Sequence, residues 1–282
     1  MGIKIVTDST SDFPKSLAEE LGVTVVPLNV HFADEVFIDG VTISQQEFLQ
    51  KLTQASVMPR SSQPSPGAFK EVYESLAADG STIISIHIGD KLSGTIQSAR
   101  LAAEMLPDAD ISIVDTRNAT MGEGGLVYMA AEAAKAGRSK EEILALLNKL
   151  IPAAAEGNII LVDTLEYLEK NGRIGKAASL LGSLLSMKVL IRIDEVIHPV
   201  GKERGRAKAV KSLVNYAVSK AGKDPMRLFV AHVDAKDEAD QIAAHLKQEL
   251  NLVGDVVFME MGPVIATHTG PKTVGACWLP VE

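Results

Sequence analysis

Cysteine and aromatics are scarce in this chain: Cys277 is the one thiol in 282 residues, and Phe, Trp and Tyr together make up 4%. A lone thiol excludes an internal disulfide framework and any cysteine-rich metal site. Positive charge is also short. Lys and Arg number 28 against 36 Asp and Glu, a net charge of −8, so the chain has no overall attraction to phosphate backbones or anionic membranes, and nucleic acid is not an expected partner. Long hydrophobic runs are missing too. ASLLGSLLSM (178–187) comes closest and then meets Lys188, short of the ~18 uncharged apolar residues of a membrane span. Residues 1–12, MGIKIVTDSTSD, have no apolar signal core, and Val6 stands where a myristoylation pattern needs Ser or Thr. A soluble, cytoplasmic protein with no stable membrane insertion is the expectation.

Several catalytic signatures are absent as well. There is no GxxxxGK[ST] phosphate loop, no HExxH, no CxxC and no GxSxG elbow, and GEGGLV (122–127) does not satisfy GxGxxG. No metal and no cofactor are therefore expected, and an ATP-dependent step would need a separate protein.

What remains is ordinary globular material, 46% hydrophobic and 23% charged, long enough for about two domains. Ile3–Val6, Val23–Leu28, Thr82–Ile88 and Ile111–Val114 are short apolar runs, which read as buried strands. Helix starts fall between them: Ser44 with Glu47 and Ser139 with Glu142 form capping boxes, and Ser65-Pro66 supplies a cap followed by proline. In the second half, strand Asn158–Val162 precedes helices Leu165–Lys170 and Ala177–Met187. A hairpin of Lys188–Ile193 and Val196–Val200 follows, then a helix near Ala207–Ala221 and strands Arg227–His232 and Asp255–Glu260. This alternation predicts an α/β fold: two α/β domains, 1–158 and 159–282, with mostly parallel sheets flanked by helices. Part of 62–80 is free to pack with the second domain.

Polar chemistry gathers in the loops after the strands, where α/β sheets place ligands. Thr7 to Asp12, Arg60 to Ser65, Gly89 to Thr95 and Asp115 to Asn118 are rich in small hydroxyl residues. Ser93-Gly94-Thr95 would open a helix, where free N–H groups, a hydroxyl and the positive dipole end converge on an anion. The competing reading makes these hydroxyls caps and turn formers. Arg173 sits between glycines in NGRIG and either forks onto an anion or caps a helix. His268 lies in a glycine-bounded segment rather than on a helix face, where it could bind an anion or move protons. A Ser93–His268 pair leaves a small hydrolase or phosphotransferase open as an alternative. The basic stretch 202–208 with Lys211 is a solvated face or a docking surface for an anionic partner.

Taken in order, VTDSTSD (6–12), SSQPSPG (61–67), LSGTIQSA (92–99), NGRIGK (171–176), GKERGRAK (201–208) and GPVIATHTGP (262–271) resemble the DegV family of bacterial fatty-acid-binding proteins over essentially the full length. The resemblance implies one long-chain fatty acid, such as palmitate, stearate or oleate, in a buried tunnel between the domains. It also implies that the carboxylate is presented to a separate ATP-dependent fatty-acid kinase, the carrier itself catalysing nothing. Carried over residue by residue, Ser61, Ser93 and His268 would hold the carboxylate and Gly94 would leave room for it. Arg173, Ser62, Thr95 and Thr269 would complete the head-group network or meet the kinase. Ser61 replaces the family's usual threonine but keeps the hydroxyl, Val189 replaces a proline, and Lys272 replaces a glycine beside the head-group segment. Ala178–Met187 or the Leu101–Leu106 face are candidates for the tunnel lining, against the simpler reading that both are core.

Overall fold

The computed structural model describes residues 2–181 and 187–281. Four short β-branched runs form a wholly parallel sheet in the order β2 (Val23–Val26), β1 (Ile3–Asp8), β6 (Thr82–His87) and β7 (Ile111–Asp115). One face is covered by α3 (Pro66–Ala77) and α4 (Thr95–Glu104), with Phe69 and Tyr73 packed on Val6, Val26 and Ile83. On the other face lie α1 (Lys15–Leu21) and α5 (Met121–Lys135).

Helix α5 is buried on nearly every side because a second sheet lies beyond it. That sheet runs β10 (Val196–Arg204), β9 (Met187–Asp194), β8 (Asn158–Val162), β13 (Val274–Pro280), β11 (Met226–His232) and β12 (Val257–Glu260). Close approach explains the glycines of GEGGLV. A Cβ at Gly124 would come within 2.4 Å of the Ser11 carbonyl, and one at Gly125 within 3.1 Å of Phe229 and Leu279. The run is a packing device between two sheets. With α6 (Lys140–Glu156), α5 shares one continuous core that joins Ile5, Ile84 and Ile86 of the first sheet to Ile160, Ile191 and Phe229 of the second. Helices α8 (Arg206–Ala221) and α9 (Lys236–Glu249) cover the outer face, against Leu161, Val230 and Trp278.

The helix-flanked α/β architecture is as expected, but the second sheet is mixed: only β11 with β12 is parallel, and the β8, β9, β10 and β13 pairings are antiparallel. The tight connection of β9 to β10, a single residue, Glu195, forces that orientation locally. A third, three-stranded antiparallel sheet, β4 (Glu35–Ile38), β3 (Asn29–Phe32) and β5 (Arg60–Ser62), has strands too short to read as a sheet in advance. It and α2 (Gln45–Gln54) pack against α10 (Pro263–Thr269), which in turn touches α7 (Glu166–Lys170). The contact between the halves therefore involves β3, β5 and α2, whereas α3 stays on the first sheet.

Local signals behave as physics requires. Ser44 and Ser139 form full capping boxes with Glu47 and Glu142, and Ser65 caps α3 with Pro66 in its first turn. The expected helix from Ala177 is a short 3-10 segment, Gly175–Leu180; Met187 already belongs to β9, and 182–186 lie outside the described residues. Among the described residues no helix is long and apolar enough to cross a membrane.

Candidate functional site

A cavity of about 410 Å³ opens between the hydroxyl loops of the first half and the inner face of the second sheet, within the ~300–1,000 Å³ usual for small-molecule sites. Its lining is of two kinds. Ser61, Ser62, Ser93, Arg173, His268 and Thr269 border one part, and Ile160, Ile191, Ile193, Ile197, Leu28 and Leu168 form the apolar wall. The wall follows from strand geometry. Ile191 and Ile193 are two apart on β9 and so share a face, and Ile160 of β8 is Ile191's register partner. The Leu101–Leu106 face contributes nothing to this lining: Leu101 and Met105 point to solvent while Ala102 packs in the first half's outer core.

Ser61 is the middle residue of β5, and its Oγ lies 2.7 Å from Nε2 of His268. His268 stands in the last turn of α10, so it is on a short helix and not in an extended loop; Pro263 at the helix start and Gly270 just after its end delimit that turn. Burial, then the positive charge of Arg173, pushes the imidazole down to about 4, so it is neutral at physiological pH. Its Nδ1 is buried with no partner among the described residues.

Ser93 precedes α4 as expected. Its Oγ meets Thr95 Oγ1 at 2.9 Å and accepts from the Thr95 amide at 3.3 Å. Thr95 is fully buried beneath the loop and does not border the cavity. Gly94 does not border it either: the space over its Cα is filled by the Gln63 side chain, 2.2 Å from where a Cβ would stand. Arg173 spans the rim, its Nε donating to the Leu92 carbonyl at 3.3 Å and Nη1 to the Asn171 carbonyl at 2.8 Å. Asn171 in turn donates to the Thr267 carbonyl at 3.0 Å. This relay ties the Ser93 loop to the helix that carries His268. Ser62 pairs with His31 Nε2 at 2.8 Å, and Thr269 donates to the Ile265 carbonyl at 3.0 Å.

Behind the rim is a group of buried acids that the sequence pattern did not flag. Asp8 accepts from His87 Nδ1 at 3.0 Å, from the Ile88 amide at 3.2 Å and from Thr10. Thr10 Oγ1 also meets Glu123 Oε2 at 3.0 Å. One hydroxyl proton cannot serve two carboxylates, so the second contact needs a proton on a carboxyl group. Glu123 is the group to hold it, since burial first and the Asp8 charge second raise its pKa well above the usual range. Asp12 accepts from the Gly262 amide at 2.7 Å, and Asp39 accepts from Ser9 at 2.8 Å. Burial raises both, Asp39 to about 7. Asp12 thereby anchors the start of α10 to the first strand's loop. Among the described residues no cluster of histidine, cysteine or acidic groups has the makings of a metal site.

Other candidates lie apart from the cavity. Arg206 of the basic stretch is held by Asp163 at 2.8 Å, by Glu238 and by the Lys272 carbonyl, while Arg204 is exposed at the end of β10. Lys272 borders a different groove together with Arg206 and is not among the residues lining the cavity. Val189 is buried in β9 opposite Val162. Burial pushes the Cys277 thiol up, so it stays protonated and unreactive.

The model of the DegV family, described as "Uncharacterised protein, DegV family", matches residues 2–281. A DegV domain-containing protein of Caldanaerobacter subterraneus subsp. tengcongensis is 36% identical over 276 residues, 97% of each chain. Among solved structures, a fatty-acid-binding DegV family protein from Thermus thermophilus superposes with a TM-score of 0.93 at 35% identity, covering 100% of both chains. A stearic acid-binding protein from Eubacterium ventriosum gives 0.91 at 29% identity, covering 99% of this chain and 98% of its own.

Proposed function

Because the chain belongs to the DegV family, we propose that it binds one long-chain fatty acid, such as palmitate, stearate or oleate, with the alkyl chain against the isoleucine wall and the carboxylate at Ser61, Ser93 and His268. The observation that carries this reading is one cavity with an apolar wall and a rim of three serines, a threonine, an arginine and a neutral histidine. Burying the ~14 methylenes of a palmitate-sized chain at ~0.8 kcal/mol each contributes roughly 11 kcal/mol before the freedom lost on association is subtracted. The carboxylate is the costly end, because a desolvated charge needs donors. Ser61, Ser93, His268 and Arg173 can supply them. Structural relatives from Thermus thermophilus and Eubacterium ventriosum, described as binding a fatty acid and stearic acid, support the ligand class.

In this reading the protein is a carrier and not an enzyme. A separate ATP-dependent fatty-acid kinase acts on the presented carboxylate, in keeping with the lack of any phosphate-loop motif in this chain. The exposed Arg204, unlike Arg206, is placed to meet such a partner: Arg204→Glu should lower acyl phosphorylation by an added kinase while leaving lipid binding intact. The Ser61–His268 bond is also the geometry of a nucleophile with its base, which keeps a hydrolase or phosphotransferase as the second reading. The pair first considered for that role, Ser93 with His268, has no contact of this kind. Against the second reading, Nδ1 of His268 lacks an orienting acid and its pKa of about 4 is low for a base working near neutrality. Denaturing mass spectrometry of the purified protein tests the carrier reading. A co-purified acyl chain, or uptake of added oleate, is the expected result; neither appearing would overturn it.

A further inference from the structure

Gly94 sits at a backbone angle that any residue adopts, φ −75°, so its lack of a side chain is not required by conformation. What requires it is Gln63. A Cβ on Gly94 would fall 2.2 Å from Gln63 Oε1, 2.8 Å from Cδ and 2.9 Å from Nε2, so the flat amide lies directly on the glycine. The same amide donates from Nε2 to Ser98 Oγ at 3.1 Å. Ser98 is buried on the first turn of α4. Gln63 follows Ser61 and Ser62 of β5 without a break, and Gly94 joins Ser93 to α4. One side chain thus crosses from the end of β5, which carries the first rim hydroxyls, to the loop that carries Ser93. Gln63 is itself exposed and belongs to none of the hydrophobic cores, so its place there does little for the stability of the fold.

We propose that Gln63 is a positioning residue: by lying on Gly94 and bonding Ser98, it fixes the spacing of Ser61 and Ser93 around the ligand's acidic end. The proposal rests on the fatty-acid reading above and deepens it. Gln63 itself also borders the cavity, with its amide engaged by Gly94 and Ser98. Two hydroxyls held at a set separation spare the ordering cost of bringing them together around a carboxylate, and that benefit vanishes for a ligand without a charged head group.

The test uses the full delipidated chain with two probes of equal length, oleate and oleyl alcohol, titrated against wild type, Gln63→Ala, Gly94→Ala and the double variant. Gln63→Ala should weaken oleate about tenfold, near the worth of one hydrogen bond to a charged group, and leave oleyl alcohol within about twofold. Gly94→Ala, whose methyl would displace the amide, should reproduce that pattern. The double variant should be no worse than either single one. Equal loss for both probes would mean a general packing effect and would overturn the proposal, as would no loss at all or additive losses in the double variant. If Gly94→Ala fails to fold, the two-probe comparison on Gln63→Ala decides alone. A wild-type chain that takes up neither probe overturns the fatty-acid reading instead.

Discussion

The two halves of the molecule build the cavity from opposite materials. The first supplies short polar segments: Ser61 and Ser62 from the three-residue edge strand β5, and Ser93 from the loop that opens α4. The second supplies a surface: Ile160, Ile191, Ile193 and Ile197 project from consecutive antiparallel strands. Loops at strand ends offer hydroxyls and free N–H groups, whereas the inner face of a sheet offers contiguous branched side chains with every backbone group already paired. A ligand with one acidic end and one greasy end matches that division. His268 is the exception that joins the two, a second-half residue bonded to Ser61 and anchored through α10 to Asp12.

The division is broken most severely by putting a charge on the apolar side. Ile191→Asp would place a carboxylate in a fully buried site without a partner. It should abolish oleate uptake and lower unfolding free energy by roughly 3 kcal/mol or more in urea titrations. On the polar side, Ser61→Ala and Ser93→Ala should each weaken oleate by about 10- to 100-fold in calorimetric titration while the melting temperature barely moves. Equal sensitivity of both ends to the same probe would erase the distinction drawn between them.

The seam between the halves is sharpened by pH. Burial keeps Asp39 near 7, above its ordinary 3.8, so from about pH 4 to pH 7 the folded chain holds a proton the unfolded chain has lost. Stability on its account falls as pH rises through that window and is level above it. His268 works the other way. Lowered from 6.5 to about 4, it leaves the folded chain short of a proton over that interval, so stability on its account rises with pH. The two slopes oppose each other, while Asp12 and Glu123, also raised by burial, add falls of the same sign as Asp39. Asp39→Asn should therefore make the net fall shallower by up to ~1.4 kcal/mol per pH unit, read from denaturant midpoints between pH 4.5 and 6.5. The smallest effect comes from a hydroxyl with no place at the rim. Ser139→Ala removes a capping box and should cost ~1 kcal/mol of stability with oleate affinity unchanged.

Much of the rim was readable in advance because loop chemistry is local. Capping boxes, the Ser93 helix start, the β9–β10 hairpin and the hydroxyl motifs all declare themselves within a few neighbouring residues. The wall did not, since a short apolar run such as Asn158–Val162 does not say which of its faces meets a cavity; here Ile160 lines it while Leu161 packs under α8 and α9. Gln63 lay inside the SSQPSPG motif, yet its role depends on a glycine thirty-one positions away. The buried acids escaped notice because Asp and Glu are normally solvated, and only the fold shows Asp12 and Glu123 shut between two sheets.

A structure of the oleate-loaded chain tests the central claim most directly. The division of labour predicts the carboxylate within hydrogen-bond distance of Ser61 and Ser93, with the alkyl carbons running along Ile160, Ile191 and Ile193. A lipid lying the other way round, with its methyl end at Ser61, or bound outside this cavity altogether, would contradict it.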